Sequence, residues 1–339
     1  MRQAWKATKM RLWRKLGPAA LIGLLLGAGT SGARAAHQQI AFIINSNSAS
    51  IDEIDIQTHQ RIRQIPVYRE PHHMALSPDG HSLLIGDTAG NAIFFLDPRT
   101  GELQRKVTVS DPYQLVFSPD GRLLTVAGLA RDQIDIYDAR TMQLLHRIQA
   151  HTMPSHINYS PDSATVFVSL QVSGELIAID TATGAVKWQK PVGNTPAGVL
   201  WHNGKLLVGI MGEAHVAIVD PATGAVEGVI PTAKGAHVMF IPPDGRIIYV
   251  TDRESGNITI LDAHTLQVMR TFQMAGGPDD MDFAPDGTIW ATLRWAHKVA
   301  LINPETFTFT TIRVGRSPHG IWMNTHDPKI WGPAVASAQ

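Results

Sequence analysis

The stretch AHVMFIPPDGRIIYVTDRESGNITILDAHTLQVMRTF, residues 236–272, contains four short runs of alternating apolar and polar residues separated by turn residues. Alternation with a period of two is typical of β-strands. The runs predict strands at 238–241, 246–251, 257–261 and 268–272. The first turn is Pro243-Asp244-Gly245, in which glycine supplies a positive φ and Asp accepts hydrogen bonds from nearby backbone N–H groups. The stretch therefore predicts a four-stranded antiparallel sheet.

The same order of features recurs along the chain at a regular interval. An acidic or amide residue followed three places later by Thr marks each unit, and its first members are spaced by 40 to 42 residues. These first members are Asp55, Asp97, Asp138, Asp180, Asp220, Asp262 and Asn303. Six of the seven units also carry a proline shortly before the first strand. Because Asp-x-x-Thr recurs in every unit, it belongs to the architecture and is not a catalytic signature.

Seven such units predict an all-β fold, a seven-bladed β-propeller of four-stranded antiparallel blades. No helical pattern follows residue 36. The first unit begins with a strand of the second type at 40–44, whereas the chain ends with a strand of the first type at 318–323. We therefore expect the C-terminal strand to complete the N-terminal blade, which removes exposed sheet edges. The predicted propeller covers residues 36–326, and a flexible tail follows at 327–339.

The first 35 residues differ in composition from the rest. Residues 1–15 hold six basic residues and no acidic one, an apolar run follows at 16–28, and Ala33-Arg34-Ala35 comes next. This order is typical of a secretory signal peptide, and the apolar run is too short to span a membrane. We expect cleavage near Ala35 or Ala36, export to the periplasm, and no membrane span after cleavage.

Charge and composition exclude several classes of function. Removing residues 1–35 takes away seven of 29 basic residues and none of 29 acidic ones, which leaves 22 against 29, a formal charge of −7. Such a chain has no general attraction for nucleic acid, so single-stranded nucleic-acid binding is the weakest candidate function. The chain has no cysteine, which excludes disulfides, thiolate metal sites and cysteine nucleophiles. The G-x-S-x-G, H-E-x-x-H and P-loop motifs are also absent.

Three stretches carry a resemblance to a known family. They are Tyr249-Val-Thr-Asp252, IAIDTATG at 177–184 and Ser317-Pro-His-Gly320. These stretches are similar to motifs of the YVTN-repeat β-propeller family, and the resemblance covers all seven units. It implies an exported protein with the seven-bladed fold of quinoprotein amine dehydrogenase and nitrite-reductase propeller domains. The motifs belong to the scaffold, so the resemblance implies no catalytic residues.

Candidate functional residues are those that differ between units at one end of the predicted propeller. The loop that enters each innermost strand should lie at the same end as the loop between the second and third strands, around the channel mouth. The two positions after the repeated proline bring titratable side chains there: His72, His73, Tyr113, His156, His237, Asp279, Asp280 and His319. The second-to-third-strand loops add Arg253, Arg294 and Trp295. Convergent titratable side chains are typical of a ligand site or an active site.

Each part of this set has two interpretations. The histidines either satisfy backbone groups where strands crowd the axis, or three of them, His72, His237 and His319, hold a metal ion or a tetrapyrrole. Asp279 and Asp280 form either a solvated pair or, because two adjacent carboxylates disfavour joint ionisation, an acid of raised pKa or a ligand for a hard cation. The arginines and Trp295 are either rim residues or a clamp for an anionic or aromatic ligand.

Two further polar residues, Asn158 and Asp282, stand in innermost strands where other units have apolar residues. A buried polar group needs a partner, so we expect each to bind a channel water or the backbone of the neighbouring blade.

The sequence thus favours an exported propeller that binds a small molecule or a protein partner at its channel mouth without catalysis. The alternative is a cofactor- or metal-associated redox subunit, or a lactone hydrolase that uses the His/Asp cluster. No cofactor is required by the sequence.

Overall fold

The computed structural model describes residues 38–325, which form seven four-stranded antiparallel sheets in a ring. The strands are β1 Ile40–Asn45, β2 Ser50–Asp55, β3 Arg61–Pro66, β4 Pro71–Leu76, β5 Leu83–Asp87, β6 Ala92–Leu96, β7 Leu103–Thr108, β8 Gln114–Phe117, β9 Leu123–Gly128, β10 Gln133–Asp138, β11 Leu144–Gln149, β12 Pro154–Tyr159, β13 Thr165–Leu170, β14 Glu175–Asp180, β15 Val186–Pro191, β16 Pro196–His202, β17 Lys205–Ile210, β18 His215–Val219, β19 Val226–Pro231, β20 Ala236–Phe240, β21 Ile247–Asp252, β22 Asn257–Asp262, β23 Val268–Gln273, β24 Pro278–Phe283, β25 Ile289–Leu293, β26 Lys298–Ile302, β27 Phe309–Arg313 and β28 Pro318–Met323. The predicted all-β, seven-bladed propeller is confirmed. The predicted signal peptide and the tail at 327–339 lie outside the described residues.

Helical residues in the described part of the chain are limited to two three-residue 3₁₀ turns, Ser46–Ser48 and Leu129–Arg131. Each turn connects the second and third strands of a blade in place of an ordinary loop. Between residues 38 and 325, no helix has the length and apolar character needed to cross a membrane.

Ring closure joins the two ends of the described chain in one blade. Blade 1 has the order β28-β1-β2-β3, and blades 2 to 7 each contain four consecutive strands from β4 onwards. Strand β28 pairs with β1, with Phe42 opposite Trp322 and Ile43 opposite Ile321. The seven innermost strands β28, β4, β8, β12, β16, β20 and β24 each contact the next one around the ring. The expected closure by the C-terminal strand is present.

The stretch at 236–272 shows how closely local pattern predicts the strands. It forms β20, β21, β22 and β23, whose bounds differ from the predicted ones by one or two residues. The first strand begins earlier than predicted because Ala236 pairs with Asp252 before the strand reaches its apolar positions.

Apolar clusters between neighbouring blades supply the core. Phe42 and Trp322 of blade 1 pack with Met74 and Phe94 of blade 2, and the Phe42 and Trp322 ring centroids lie 5.8 Å apart. Blades 2 and 3 meet through a separate cluster that includes Leu84 and Val126. Because each blade packs against a neighbour on both faces, strands such as β2 and β6 are buried along their length, whereas outermost strands such as β3 and β7 are largely exposed.

The repeated Asp-x-x-Thr turns are architectural, as the sequence predicts. Asp180 Oδ1 accepts hydrogen bonds from the backbone N–H groups of Ala182 and Thr183 and from the Thr183 hydroxyl at 2.9 to 3.1 Å. Such side-chain-to-backbone bonds fix a tight turn between the third and fourth strands.

Asn158 and Asp282 bind the backbone of the neighbouring blade, which confirms one of the two expected partners. Asn158 Nδ2 donates to the Val199 carbonyl at 3.0 Å. The Met323 N–H donates to Asp282 Oδ2 at 2.8 Å. The second bond ties blade 7 to the strand that closes the ring.

Candidate functional site

A β-bulge at the start of the innermost strands places the candidate residues. In blade 2, Pro71 pairs with Asp87 and Met74 pairs with Ile85, so His72 and His73 together oppose one residue. The same β-bulge follows the first residue of β12, β16, β20 and β24. Strand β28 has a β-bulge where it pairs with β1. Bulges release side chains from the regular up-and-down alternation and re-aim them. Both residues after the proline can therefore face the channel axis.

Hydroxyl groups opposite the bulges bind the backbone that the bulges leave unpaired. The Val238 N–H donates to Thr251 Oγ1 at 3.2 Å, and the Asp280 N–H donates to Thr292 Oγ1 at 2.9 Å. Thr292 in turn donates to the His319 carbonyl at 2.8 Å, across to blade 1. Thr251 is the threonine of the Tyr-Val-Thr-Asp stretch, so that motif supports the bulge.

Eight of the predicted site residues meet at one end of the axis, and we call them the axial cluster. They are His72, His73, Tyr113, His156, His237, Asp279, Asp280 and His319, none more than 8% exposed. The His73 ring centroid lies 4.6 Å from that of His319, 5.1 Å from that of Tyr113 and 5.6 Å from that of His156. The His237 ring follows at 5.1 Å from His156. The side chains thus contact one another across the axis instead of lining an open mouth.

The five histidines of the axial cluster are neutral at neutral pH. Burial lowers the pKa of each, to about 3 for His156, where the charge of Arg253 lowers it further. For His72 the contact with Glu70 works in the opposite direction but is smaller than the effect of burial. A neutral imidazole keeps one nitrogen lone pair free for a donor or a metal ion.

Several of these nitrogens have no hydrogen-bond partner among the described residues. They are His72 Nδ1, His73 Nε2, His156 Nε2 and both ring nitrogens of His319. A buried polar atom left without a partner costs about 1–3 kcal/mol. The bonds that the cluster histidines do make run to side chains, namely His72 to Glu70 at 3.3 Å, His156 to Ser155 at 3.1 Å and His237 to Arg253. Within residues 38–325, none of the five rings binds a backbone group.

Asp279 is the charged centre of one side of the cluster. Its carboxylate binds the Arg253 guanidinium, and its Oδ2 lies 3.0 Å from Arg294 Nη1. His237 Nδ1 lies 3.1 Å from Asp279 Oδ1. The arginine side chains are 15% and 20% exposed, whereas Asp279 is fully buried. The arginines therefore hold an internal anion and cover the cluster, while the interpretation of Asp279 as a solvated residue does not fit its burial.

Asp280 behaves differently from its neighbour. Burial raises the pKa of Asp280 well above its usual range, and the nearby carboxylates of Asp279 and Asp282 raise it further. Burial and the two neighbouring carboxylates therefore favour the protonated form of Asp280 more than in an exposed carboxyl group. One of its oxygens and one nitrogen each of His73 and His319 all lie within 4.8 Å of one another. Of the three histidines singled out as metal candidates from sequence, only His319 belongs to this trio.

Trp295 lies outside the axial cluster and is 55% exposed. Its ring lies against Gly277, where an added Cβ would meet it at 2.7 Å. The structure therefore brings ten of the eleven predicted site residues together, counting the two covering arginines, and leaves Trp295 on the surface.

Sequence reasoning missed Glu70, which connects the cluster to the surface. Its Oε1 contacts His72 Nε2 at 3.3 Å, and its side chain is partly exposed. Glu70 also lines an open cleft of about 430 Å³ together with Ser46, Asn47, Arg69, Ala89 and Arg316. The position of Glu70 directly before the proline of its unit was a signal that could have identified it.

Comparison with known proteins identifies the family. The sequence pattern described as YNCE-like beta-propeller matches residues 3–329. The chain belongs to the YNCE-like β-propeller family. The family membership confirms the repeat-propeller resemblance seen in the sequence. No curated protein matches the chain significantly.

Solved structures similar to this YNCE-like propeller include enzymes with different names. Dihydro-heme d1 dehydrogenase NirN in complex with DHE is 14% identical with a TM-score of 0.65, over 90% of this chain and 77% of that one. The periplasmic gluconolactonase PpgL of Pseudomonas aeruginosa is 15% identical with a TM-score of 0.69, over 84% and 99%. Hydrazine synthase of Kuenenia stuttgartiensis is 19% identical with a TM-score of 0.62, over 80% and 92%. At these sequence identities, structural similarity is evidence of a shared fold alone.

Proposed function

We propose that the protein is an exported β-propeller that binds a ligand at its axial cluster. The observation that carries this proposal is the set of unpartnered imidazole nitrogens in the cluster. Closing the ring does not require them, because equivalent positions in other blades hold the apolar residues Ala197 and Val238. A buried polar atom that stays without a partner costs about 1–3 kcal/mol. A ligand that binds these nitrogens explains why the chain carries that cost.

The surroundings of the cluster indicate where such a ligand would reach it. Arg253 and Arg294 cover one side and are partly exposed. Glu70 lies between His72 and the surface cleft, which also contains two exposed arginines, Arg69 and Arg316. A small polar molecule, or a side chain of a protein partner, could occupy the cleft and contact the cluster through Glu70. Nucleic acid remains the weakest candidate because of the net negative charge.

A stability comparison tests whether the cluster serves binding or folding. In the double variant His73→Leu/His156→Leu, two apolar side chains replace two partly unpartnered imidazoles. We expect the melting temperature of the ligand-free protein to stay the same or rise. Thr292→Val is the matched control, since its hydroxyl satisfies backbone groups, and it should lose about 1–3 kcal/mol of stability. A double variant that loses as much stability as the control would show a structural role and overturn the proposal.

Export rests on the charged, apolar and small-residue segments of residues 1–35. Expression of the full chain in a bacterial host, followed by fractionation and intact-mass measurement, tests it. We expect a periplasmic protein that lacks residues 1–35 or 1–36. Replacing the leucines at 24–26 by Asp should keep the uncleaved chain in the cytoplasm. An uncleaved chain in both cases would contradict export.

A second candidate is a cofactor- or metal-associated protein, which the trio of His73, Asp280 and His319 favours. Elemental analysis and a visible absorption spectrum of the exported protein test it. The contacts between the rings leave no space for a macrocycle inside the cluster, so a tetrapyrrole would have to lie outside Arg253 and Arg294. The lactone-hydrolase alternative has less support, because every histidine in the cluster is buried and a hydrolytic base must reach substrate and water.

A further inference from the structure

We propose that His73, His319 and Asp280 bind a divalent transition-metal ion at the axis of the propeller. This inference rests on the proposed ligand binding at the axial cluster and names the chemistry of one ligand. The three residues come from β4, β28 and β24, which are consecutive innermost strands around the ring. The site therefore exists only in the closed propeller, although its ligands lie far apart in the sequence.

The separation of the three side chains is compatible with one small cation. One donor atom from each residue lies within 4.8 Å of the other two. Bonds of about 2.0–2.2 Å around a tetrahedral ion place ligand atoms about 3.3 Å apart. The side chains would therefore have to close by about 1.5 Å or less, which rotation about side-chain bonds can supply.

The donor atoms are available for coordination. His73 Nε2 and both nitrogens of His319 make no hydrogen bond with any residue in 38–325, and both side chains are fully buried. A hydrogen bond in the protein therefore does not compete with a metal for these lone pairs. These buried imidazoles without a hydrogen-bond partner indicate a ligand independently of the acidic side chain.

The residues that contact the three proposed ligands are also arranged as in known metal sites. His319 Nε2 lies 3.9 Å from Asp279 Oδ2, and the two arginines hold Asp279 in place. Metal-binding histidines commonly direct their second nitrogen at a carboxylate, which orients the ring. With His319 bound through Nδ1, Asp279 can take this orienting role while remaining outside the coordination sphere.

The donor set determines the class of metal. Two imidazoles and one carboxylate suit Zn²⁺, Co²⁺, Ni²⁺, Cu²⁺ or Fe²⁺, whereas Mg²⁺ and Ca²⁺ prefer all-oxygen sites. His156, with its ring centroid 5.6 Å from that of His73 and its Nε2 unpartnered, is the nearest side chain for a fourth position.

The test uses Zn²⁺ and Co²⁺ with untagged mature protein that has been treated with a chelator and shown to be folded. Calorimetric titration with Zn²⁺ should give one equivalent with a Kd below about 1 μM, and Co²⁺ should give visible absorption. His73→Ala and His319→Ala should each weaken Zn²⁺ binding at least about 100-fold. Asp280→Asn should do the same, because the amide that replaces the carboxylate carries no negative charge to bind the cation.

The control is His264→Ala, which removes an exposed histidine from a turn between the third and fourth strands of blade 6. It should bind Zn²⁺ as the wild type does. Absence of saturable Zn²⁺ binding by folded wild-type protein would overturn the proposal. Zn²⁺ binding that survives in both His73→Ala and His319→Ala would also overturn it. So would displacement of bound Zn²⁺ by millimolar Mg²⁺.

Failure of this inference can be separated from failure of the proposed function. If the leucine double variant keeps or gains stability but the wild type binds no Zn²⁺, the axial cluster serves a ligand other than a metal ion. If the double variant loses as much stability as Thr292→Val, the cluster is structural and the proposed function itself is wrong.

Discussion

His156 shows what burial does to a titratable side chain at the propeller axis. Its pKa is about 3 in the folded protein and 6.5 in an ordinary environment. Between these values the unfolded chain binds a proton that the folded chain does not, so stability falls as pH falls below 6.5. We expect metal-free wild type to lose about 1 kcal/mol more than His156→Gln between pH 7.5 and pH 5.5. Urea denaturation at the two pH values measures the difference.

The exposed His264 serves as the control for this pH effect. His264→Gln should follow the wild-type pH dependence, because it changes an exposed turn and leaves every side chain of the axial cluster in place. If His156→Gln also follows the wild type, His156 is protonated in the folded protein, and the description of a neutral cluster is wrong.

Asp279 is the buried carboxylate that binds both Arg253 and Arg294. Asp279→Ala would leave the guanidinium groups of Arg253 and Arg294 close together without the anion that they share. We expect a loss of about 3 kcal/mol, since breaking a buried ion pair costs far more than breaking an exposed one. Asp244→Ala, which removes an exposed partner of Arg246, should cost less than about 1 kcal/mol. Chemical denaturation compares them, and equal losses would show that Arg253 and Arg294 simply turn into solvent.

At the scale of the strand, Asp282 occupies a position that is apolar in most other units, and its side chain bonds to the backbone of two strands. Its Oδ2 accepts from the Met323 N–H at 2.8 Å, and its Oδ1 accepts from the Phe283 N–H at 2.7 Å. Asp282→Leu leaves the buried Met323 N–H and the partly buried Phe283 N–H without this acceptor, so we expect a loss of about 3 kcal/mol. Asp282→Asn keeps one oxygen and should lose less. Urea midpoints for the two variants test this order, and a stable leucine variant would refute it.

The strands could be predicted from sequence because the information that forms them is local. The β-branched and aromatic residues at 247–252 and 257–262 and the turns that follow define two strands without reference to any other blade. The bulges could not be predicted in this way. Pro278 pairs with Leu293 and Met281 with Ala291, and the two aspartates between them leave the regular ladder without any local turn residue that marks the bulge.

The membership of the axial cluster was predictable, but its chemistry was not. Equivalent positions in seven units converge once the ring is known, which identified His73 and Asp280. Their burial, and the pairing of Asp279 with Arg253 from a loop of the preceding blade, depend on side-chain packing between blades. No local pattern encodes such a pairing, so from sequence the simplest interpretation of Asp279 and Asp280 was a solvated pair, with an acid of raised pKa or a cation ligand as the functional alternative.

At the scale of the whole propeller, ring closure links stability to the candidate site. Strand β28 contributes His319 to the axial cluster and Trp322 to the cluster between blades 1 and 2. Its Met323 N–H also donates a hydrogen bond to Asp282 of blade 7. Loss of β28 would therefore expose the edge of β1 and remove one member of the proposed metal trio at once.

Truncation tests this coupling directly. A chain that ends at residue 317 lacks β28, and we expect it to unfold without cooperativity and to self-associate, because the free edge of β1 can pair with another chain. A chain that ends at residue 325 keeps every described strand and should melt as the full chain does. Calorimetry and light scattering after size exclusion measure both properties. Adding a synthetic peptide of residues 318–325 should restore a monomer to the shorter chain, since it supplies the missing fourth strand. A monomeric shorter chain with an unchanged melting temperature would mean that the other six blades hold the ring without closure.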